Sequence, residues 1–140
     1  INENEIRMQS RFTKRTVNGV LAHILISTEK AYPMLLKKAK LSKPMPSFFG
    51  TKLGHYFSYK YSEHVAKKLN KKKLLLEYDI AHHKLEKLIH TIEENQWTLN
   101  TTLPKPNNRR LTILEIFTFQ IPGHFKTHSD EIKKTIDFNS

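Results

Sequence analysis

Along three stretches of this chain, apolar residues recur at steps of three and four, over lengths no ordinary strand reaches. The clearest stretch covers residues 72–95, where Tyr78, Ala81, Leu85, Leu88 and Ile92 form one stripe. A second begins after Thr16, whose hydroxyl can cap a helix by accepting a backbone N–H. It places Val17, Leu21, Ile24, Thr28, Tyr32 and Leu35 on one face and runs to about Lys40. Pro33 lies inside this pattern and should kink the helix or end it early. The third opens on Thr112-Ile113-Leu114-Glu115, a capping box in which hydroxyl and carboxylate each satisfy an orphan backbone N–H. It should run to about Asp137, with a kink at Pro122-Gly123. Stripes of this kind are buried by laying helices on one another, so an all-α fold is expected.

The segments between carry most of the four glycines and six prolines, which suits helices joined by loops. Residues 41–61, LSKPMPSFFGTKLGHYFSYKY, read as an irregular loop with buried aromatic anchors, followed by a brief helix over 62–70. Residues 96–110, with Pro104 and Pro106, read as a second loop. Residues 1–15 have weak periodicity and read as a frayed start or the end of a truncated helix. The first residue is Ile1 rather than Met, which suggests that the true N-terminus is missing or that a tag was removed. The 140 residues fit a single domain, 1–140, and contain no internal repeat.

Some function classes drop out. With no cysteine, a disulfide scaffold, a thiolate metal site and a cysteine nucleophile are excluded, and a cytoplasmic location fits. There is no apolar run of about 20 residues and no signal-peptide core, so no membrane partner is expected. Nor are there paired carboxylates, a serine elbow or a phosphate-binding glycine loop. The net charge of +11 needs a partner or a solvated surface to explain it. Lys37–Lys40 and Lys67–Lys73, with Tyr56, Phe57, Tyr59 and Tyr61, could face nucleic acid, where cations meet phosphate and rings stack on bases. Lysine outnumbers arginine 19 to 5, whereas base readers lean on arginine. A non-catalytic basic module for nucleic acid or an acidic partner is therefore the weaker alternative.

The eight histidines carry the stronger signal. His124 and His128 stand at i and i+4, so their side chains leave the helix in the same direction. Ile113, Phe117, Ile121 and Ile132 lie within roughly 60° of them on the wheel, which puts both imidazoles on the core-facing stripe. Buried imidazoles need partners, because an unpaired polar group costs about 1–3 kcal/mol. One divalent ion would satisfy both; two core histidines bonded to backbone would also do so. His23 is the candidate third ligand, at the edge of its stripe beside the small residues Gly19, Ser27 and Ala31. His55, His64, His82, His83 and His90 read as structural or surface groups. Gln120, one turn before His124, is a candidate to orient a ligand ring by a hydrogen bond, and Glu115 reads as a cap.

Three segments resemble the DinB-like superfamily, which includes bacillithiol-transferase-type proteins. They are Thr16-Val17-Asn18-Gly19-Val20-Leu21-Ala22-His23-Ile24-Leu25, the stretch His83 to Leu99 with Trp97, and Leu111 to Glu115 followed by His124-x-x-x-His128-x-x-x-Ile132. The resemblance implies an up-down four-helix bundle with a divalent metal, such as Zn, Ni or Fe, held by three histidines. The first ligand comes from the family's second helix and the others from its fourth, which here means His23, His124 and His128. It further implies a metal-dependent transferase, isomerase or hydrolase acting on a small molecule, such as a low-molecular-weight thiol or its conjugate. The family's first helix has only about 15 residues available here, so it is short or missing, and a homodimer could cover the face it leaves.

Overall fold

In the computed structural model, which describes residues 1–139, each apolar stripe folds as a helix. Helix α1 (residues 17–40) starts where Thr16 Oγ1 accepts from the Gly19 N–H at 2.9 Å. It continues through a π-turn at Ser27–Ala31 into Tyr32–Lys40. Pro33 therefore does not end the helix. A proline ring collides with the carbonyl four residues back, and the wider π-turn just ahead of Pro33 opens that part of the helix. The Tyr32 N–H accordingly bonds Ser27 O, five residues back. The same arrangement recurs in the last helix, α4 (residues 113–139), where a π-turn at Ile116–Gln120 precedes Pro122. Both expected kinks are thus widened turns. The capping box at the start of α4 forms as expected, with Thr112 N to Glu115 Oε2 at 2.9 Å and Glu115 N to Thr112 Oγ1 at 3.2 Å.

Helix α3 (Lys71–Ile89) is capped by Asn70, whose Oδ1 accepts from the Lys73 N–H, and ends six residues before the expected limit of 95. Of its expected stripe Ala81 and Leu85 are buried, Tyr78 and Leu88 are half-buried and Ile92 lies beyond the helix end, while Leu74, one turn earlier, is buried as well. The central element is α1, which supplies residues to all three apolar clusters. Tyr32, Leu35, Leu36 and Ala39 pack with Leu85, Ile113 and Ile116. Ala22 and Leu25 pack with Ala66, Leu74 and Ala81, while Val17 and Val20 pack with Ile132.

The stretch 41–61 departs from expectation. Only its first part is irregular, ending in a 3-10 turn at Ser47–Gly50, and helix α2 (Lys52–Lys68) then begins at the Thr51 cap. Its aromatic residues are not buried anchors, since Phe48, Phe49, Tyr56, Phe57 and Tyr61 are all exposed. The buried residues of α2 are Gly54, Ser62 and Ala66, with Ser58 half-buried between them. These small residues repeat every four positions and let α2 lie close against α1. Because the buried stripe is small and polar and the exposed one aromatic, the usual hydrophobic reading inverts.

Residues 96–110 are also more ordered than a loop. Strands β1 (Asn100–Thr102) and β2 (Arg110–Thr112) pair antiparallel, with Thr101 opposite Leu111. Each strand has three residues, too few to show alternation. The hairpin fixes the start of α4, since Ile113 N donates to Leu99 O at 2.8 Å. Ahead of α1 there is only a 3-10 turn at Glu5–Arg7 and a bridge between Gln9 and Thr16. The fold is thus mostly helical and of the all-α class. His23 sits on the first long helix rather than the second, because residues 1–15 form no α-helix.

Gly54 tests how closely the Ser47–Gly50 turn sits on the start of α2. A methyl group there would sit 2.1 Å from the Phe48 carbonyl oxygen, a backbone atom that cannot swing away. Gly54→Ala is expected to lower stability by about 1–3 kcal/mol in urea unfolding, although alanine favours helix by roughly 0.5–1 kcal/mol. A neutral or stabilised variant would contradict the close approach. Among the described residues, no helix is long and apolar enough to cross a membrane.

Candidate metal centre

Where α1 meets α4, His23, His124 and His128 converge. The His124 Nε2 lies 3.2 Å from His23 Nε2 and 3.1 Å from His128 Nε2. The ring centroids are 4.5–5.2 Å apart, and every pair of rings is tilted edge to face. One nitrogen of each ring thus points at a shared centre. Ligands about 2.0–2.1 Å from a tetrahedral ion stand roughly 3.3–3.4 Å from one another, close to the spacing seen. The group has the geometry to hold one metal ion.

The outer nitrogens of His128 and His124 are held as well. His128 Nδ1 lies 2.8 Å from Glu131 Oε2, and both residues are buried. An ionised carboxylate only accepts, so His128 carries its proton on Nδ1 and turns a lone pair on Nε2 toward the centre. Glu131 Oε1 accepts in turn from Thr13 Oγ1 at 2.5 Å and from Ser10 Oγ. The Tyr32 hydroxyl lies 2.5 Å from His124 Nδ1. Imidazoles that ligate metals are ordinarily oriented in this manner, by a hydrogen bond to the nitrogen facing away from the ion.

Protons alone satisfy this cluster poorly. With the His128 lone pair fixed, a proton on His124 Nε2 can bond well to only one of its two neighbours. A proton on His23 Nε2 would leave His124 and His128 lone pair to lone pair. Adding a proton is disfavoured too. Burial, reinforced by Arg15 and the other two imidazoles, lowers His23 from 6.5 to about 3. Burial, with His128 and Arg15, lowers His124 to about 4. A cation at the centre accepts all three lone pairs at once.

Charge around the site is arranged in layers. Burial pushes the Glu131 carboxyl up, but hydrogen bonds from Ser10, Thr13 and His128 hold it below the usual carboxylate value. Arg15 donates from Nε to Ser62 Oγ at 3.0 Å and from Nη2 to Ser58 Oγ at 3.3 Å, so α2's small-residue stripe seats a guanidinium near the histidines. Burial lowers the Arg15 pKa, against the pull of Glu131 and Glu63.

The structure therefore brings together the three expected ligands. It does not give Gln120 the orienting role, which Tyr32 and Glu131 fill. Gln120 closes the π-turn and is half-buried. Beside Gly19, Glu63 makes the close approach, and it accepts from the Thr16 N–H at 2.8 Å. His82 and His83 stay on their own helix, His82 lying 3.7 Å from Glu86 and His83 Nδ1 bonding the Asp79 carbonyl at 2.8 Å, and His55, His64 and His90 are exposed. Glu131 was legible as a carboxylate three residues beyond His128 on the same face. Tyr32 had been read only as stripe, while Ser10 and Thr13 come from a segment with no periodic signal.

Compared with protein-family models, curated proteins and solved structures, the chain matches none.

Proposed function

We propose that this chain is a metal-dependent protein of the DinB-like type, binding one divalent ion on His23, His124 and His128 and acting on a small molecule. The observation that carries the reading is His124 Nε2 standing 3.2 Å from His23 Nε2 and 3.1 Å from His128 Nε2, all three ligand atoms within 4.8 Å of one another, with His128 locked to present a lone pair. The order of the ligands along the chain agrees with the resemblance, although the first comes from the first long helix here. A divalent ion bound by three imidazoles supplies Lewis acidity at the coordination position left open.

This chain's own residues do the rest. Glu131 and Tyr32 fix the ring planes, and the apolar cluster around Tyr32, Ile113 and Ile116 limits water on one side. Arg15 adds fixed positive charge nearby, which favours an anionic substrate group such as a thiolate or an oxyanion. Transfer of a low-molecular-weight thiol to an electrophile and hydrolysis of a small ester or amide both fit such a centre. Imidazole ligation suits Zn, Ni and Fe.

Elemental analysis of purified protein tests the reading. The expected result is about one divalent ion per chain in the wild type, with loss in His23→Ala, His124→Ala and His128→Ala. A wild type that takes up no ion from added Zn or Ni, while folded by circular dichroism, would overturn it. Assays of thiol conjugation and of ester hydrolysis with the loaded protein then separate the two reactions.

A further inference from the structure

Helix α2 packs with its large residues outward. Its small residues face inward, Gly54 under the Phe48 backbone, Ser58 and Ser62 on Arg15 and Ala66 against Ala22 and Leu25, while Leu53, Tyr56 and Phe57 are 56, 54 and 53% exposed. Phe48 and Phe49, from the preceding 3-10 turn, are 43 and 46% exposed and join them. The rings touch one another, with centroids 6.1 Å apart for Phe48–Phe49, Phe48–Phe57 and Tyr56–Phe57. They therefore form one continuous apolar patch. Folding gains nothing from leaving such a patch in water, and patches of this kind mark interaction surfaces.

The charge around the patch indicates the partner. From Lys30 to Ser62 the sequence has no Asp or Glu and seven lysines. Lys60 Nζ lies 5.6 Å from the Tyr56 and Tyr59 ring centroids. Lys30 Nζ donates to Tyr61 Oη at 2.9 Å, and Lys52 projects from the first turn of α2. At the other end, Lys38 and Lys105 line the cleft beside Gly50. A surface with phenylalanine and leucine at its centre and a margin dominated by lysines, with Glu29 beside Lys30 at its edge, complements one that is apolar beneath an anionic layer. A second copy of the chain would bring like charges together. Single-stranded nucleic acid prefers separate rings with open faces, whereas these rings pack against one another, Phe48–Phe49 and Tyr56–Phe57 edge to face and Phe48–Phe57 tilted at 41°.

We infer that this face of α2 and the Ser47–Gly50 turn docks on the surface of an anionic lipid membrane, with Phe48, Phe49, Leu53 and Phe57 entering the headgroup region and the lysines pairing with lipid phosphates. The chain lies on the membrane and does not cross it. The inference is independent of the metal reading, since no residue of the patch touches the three histidines.

Vesicle co-sedimentation of the full chain tests it, using phosphatidylcholine alone and phosphatidylcholine with about 30 mol% phosphatidylserine. Binding is expected only with phosphatidylserine, and should fall steeply between about 0.1 and 0.5 M salt. Phe49→Ser with Phe57→Ser should abolish it, and Lys52→Ala with Lys60→Ala should weaken it about 25-fold, at roughly fivefold per lysine. Both pairs are exposed, so circular dichroism and metal content should stay as in the wild type. No binding to anionic vesicles at low salt would overturn the inference, as would binding that the serine variant leaves unchanged. Retention on a single-stranded oligonucleotide without vesicle binding would assign the face to nucleic acid instead. A dimer in sedimentation velocity that the serine variant dissolves, again without vesicle binding, would assign it to a second copy.

Discussion

Replacing Glu131 with glutamine will weaken metal binding by about 10–100-fold while leaving the fold in place. The reason lies in the tautomer of His128. The Glu131 carboxylate accepts from His128 Nδ1 through one oxygen and from Ser10 and Thr13 through the other. In the glutamine variant the amide oxygen keeps the two hydroxyls, because Ser10 Oγ already accepts from the Phe12 N–H and is a poor partner for an amide donor. The amide NH2 then faces Nδ1 and donates to it. That moves the ring proton to Nε2, onto the atom that must offer a lone pair to the ion. Glu131→Ala acts differently. It strands two buried partners, Ser10 and His128, and the half-buried Thr13, and should lower the stability of the metal-free protein by about 1–3 kcal/mol. Competition against a chromophoric chelator measures the first effect, and urea unfolding without metal the second. A glutamine variant that binds as tightly as the wild type would remove Glu131 from the metal site's support.

Acid will unfold the metal-free protein well before it titrates ordinary carboxylates. His23 and His124 are neutral in the folded state down to about pH 3 and pH 4, because burial and neighbouring charge oppose protonation, whereas the unfolded chain takes up protons near pH 6.5. Between these values the unfolded state binds more protons, so stability rises with pH in this window. The contribution is fully present above about pH 6.5 and is lost as pH falls through the folded values. For the two rings together the loss from pH 8 to pH 5 is on the order of 2–4 kcal/mol, allowing for their partial exposure. Glu131, held low in the folded state, adds a loss of the same sign further down. Bound metal competes with protons for the same nitrogens, so saturating Zn should move the acid midpoint to lower pH. Thermal melts from pH 8 to pH 4, with and without Zn, measure both effects. An apo-protein melting temperature flat between pH 7 and pH 5 would show that the imidazoles are not held neutral.

The pH prediction and the glutamine prediction depend on different parts of the site. The first needs only two desolvated rings, while the second needs a carboxylate that reaches across from α4 to residues 10–13. A result that supports one and not the other would locate the error in the assignment.

Local physics is written in the sequence and was legible there. Three-four spacing gave the stripes of α1, α3 and α4. The Thr16 cap and the Thr112–Glu115 box marked two of their starts, and the i, i+4 pair His124 and His128 could be placed on a core-facing stripe. Each of these depends on residues within one or two turns of one another. The inverted helix α2 escaped because its buried stripe, Gly54-Ser58-Ser62-Ala66, has almost no hydrophobic contrast, and its loudest residues face water. The hairpin escaped because three-residue strands carry no readable period.

What only the tertiary structure decided is which distant groups meet. His23 lies about a hundred positions from its partners, and nothing local brings it within 3.2 Å of His124. Small side chains do so indirectly, by letting α2 press on α1 and α1 on α4. The same packing chose Glu131 and Tyr32 over Gln120 as the groups behind the ligands, and drew Ser10 and Thr13 onto Glu131. Periodicity fixes the direction a side chain leaves its helix, but the distance to a neighbour on another helix is set by the volumes between them.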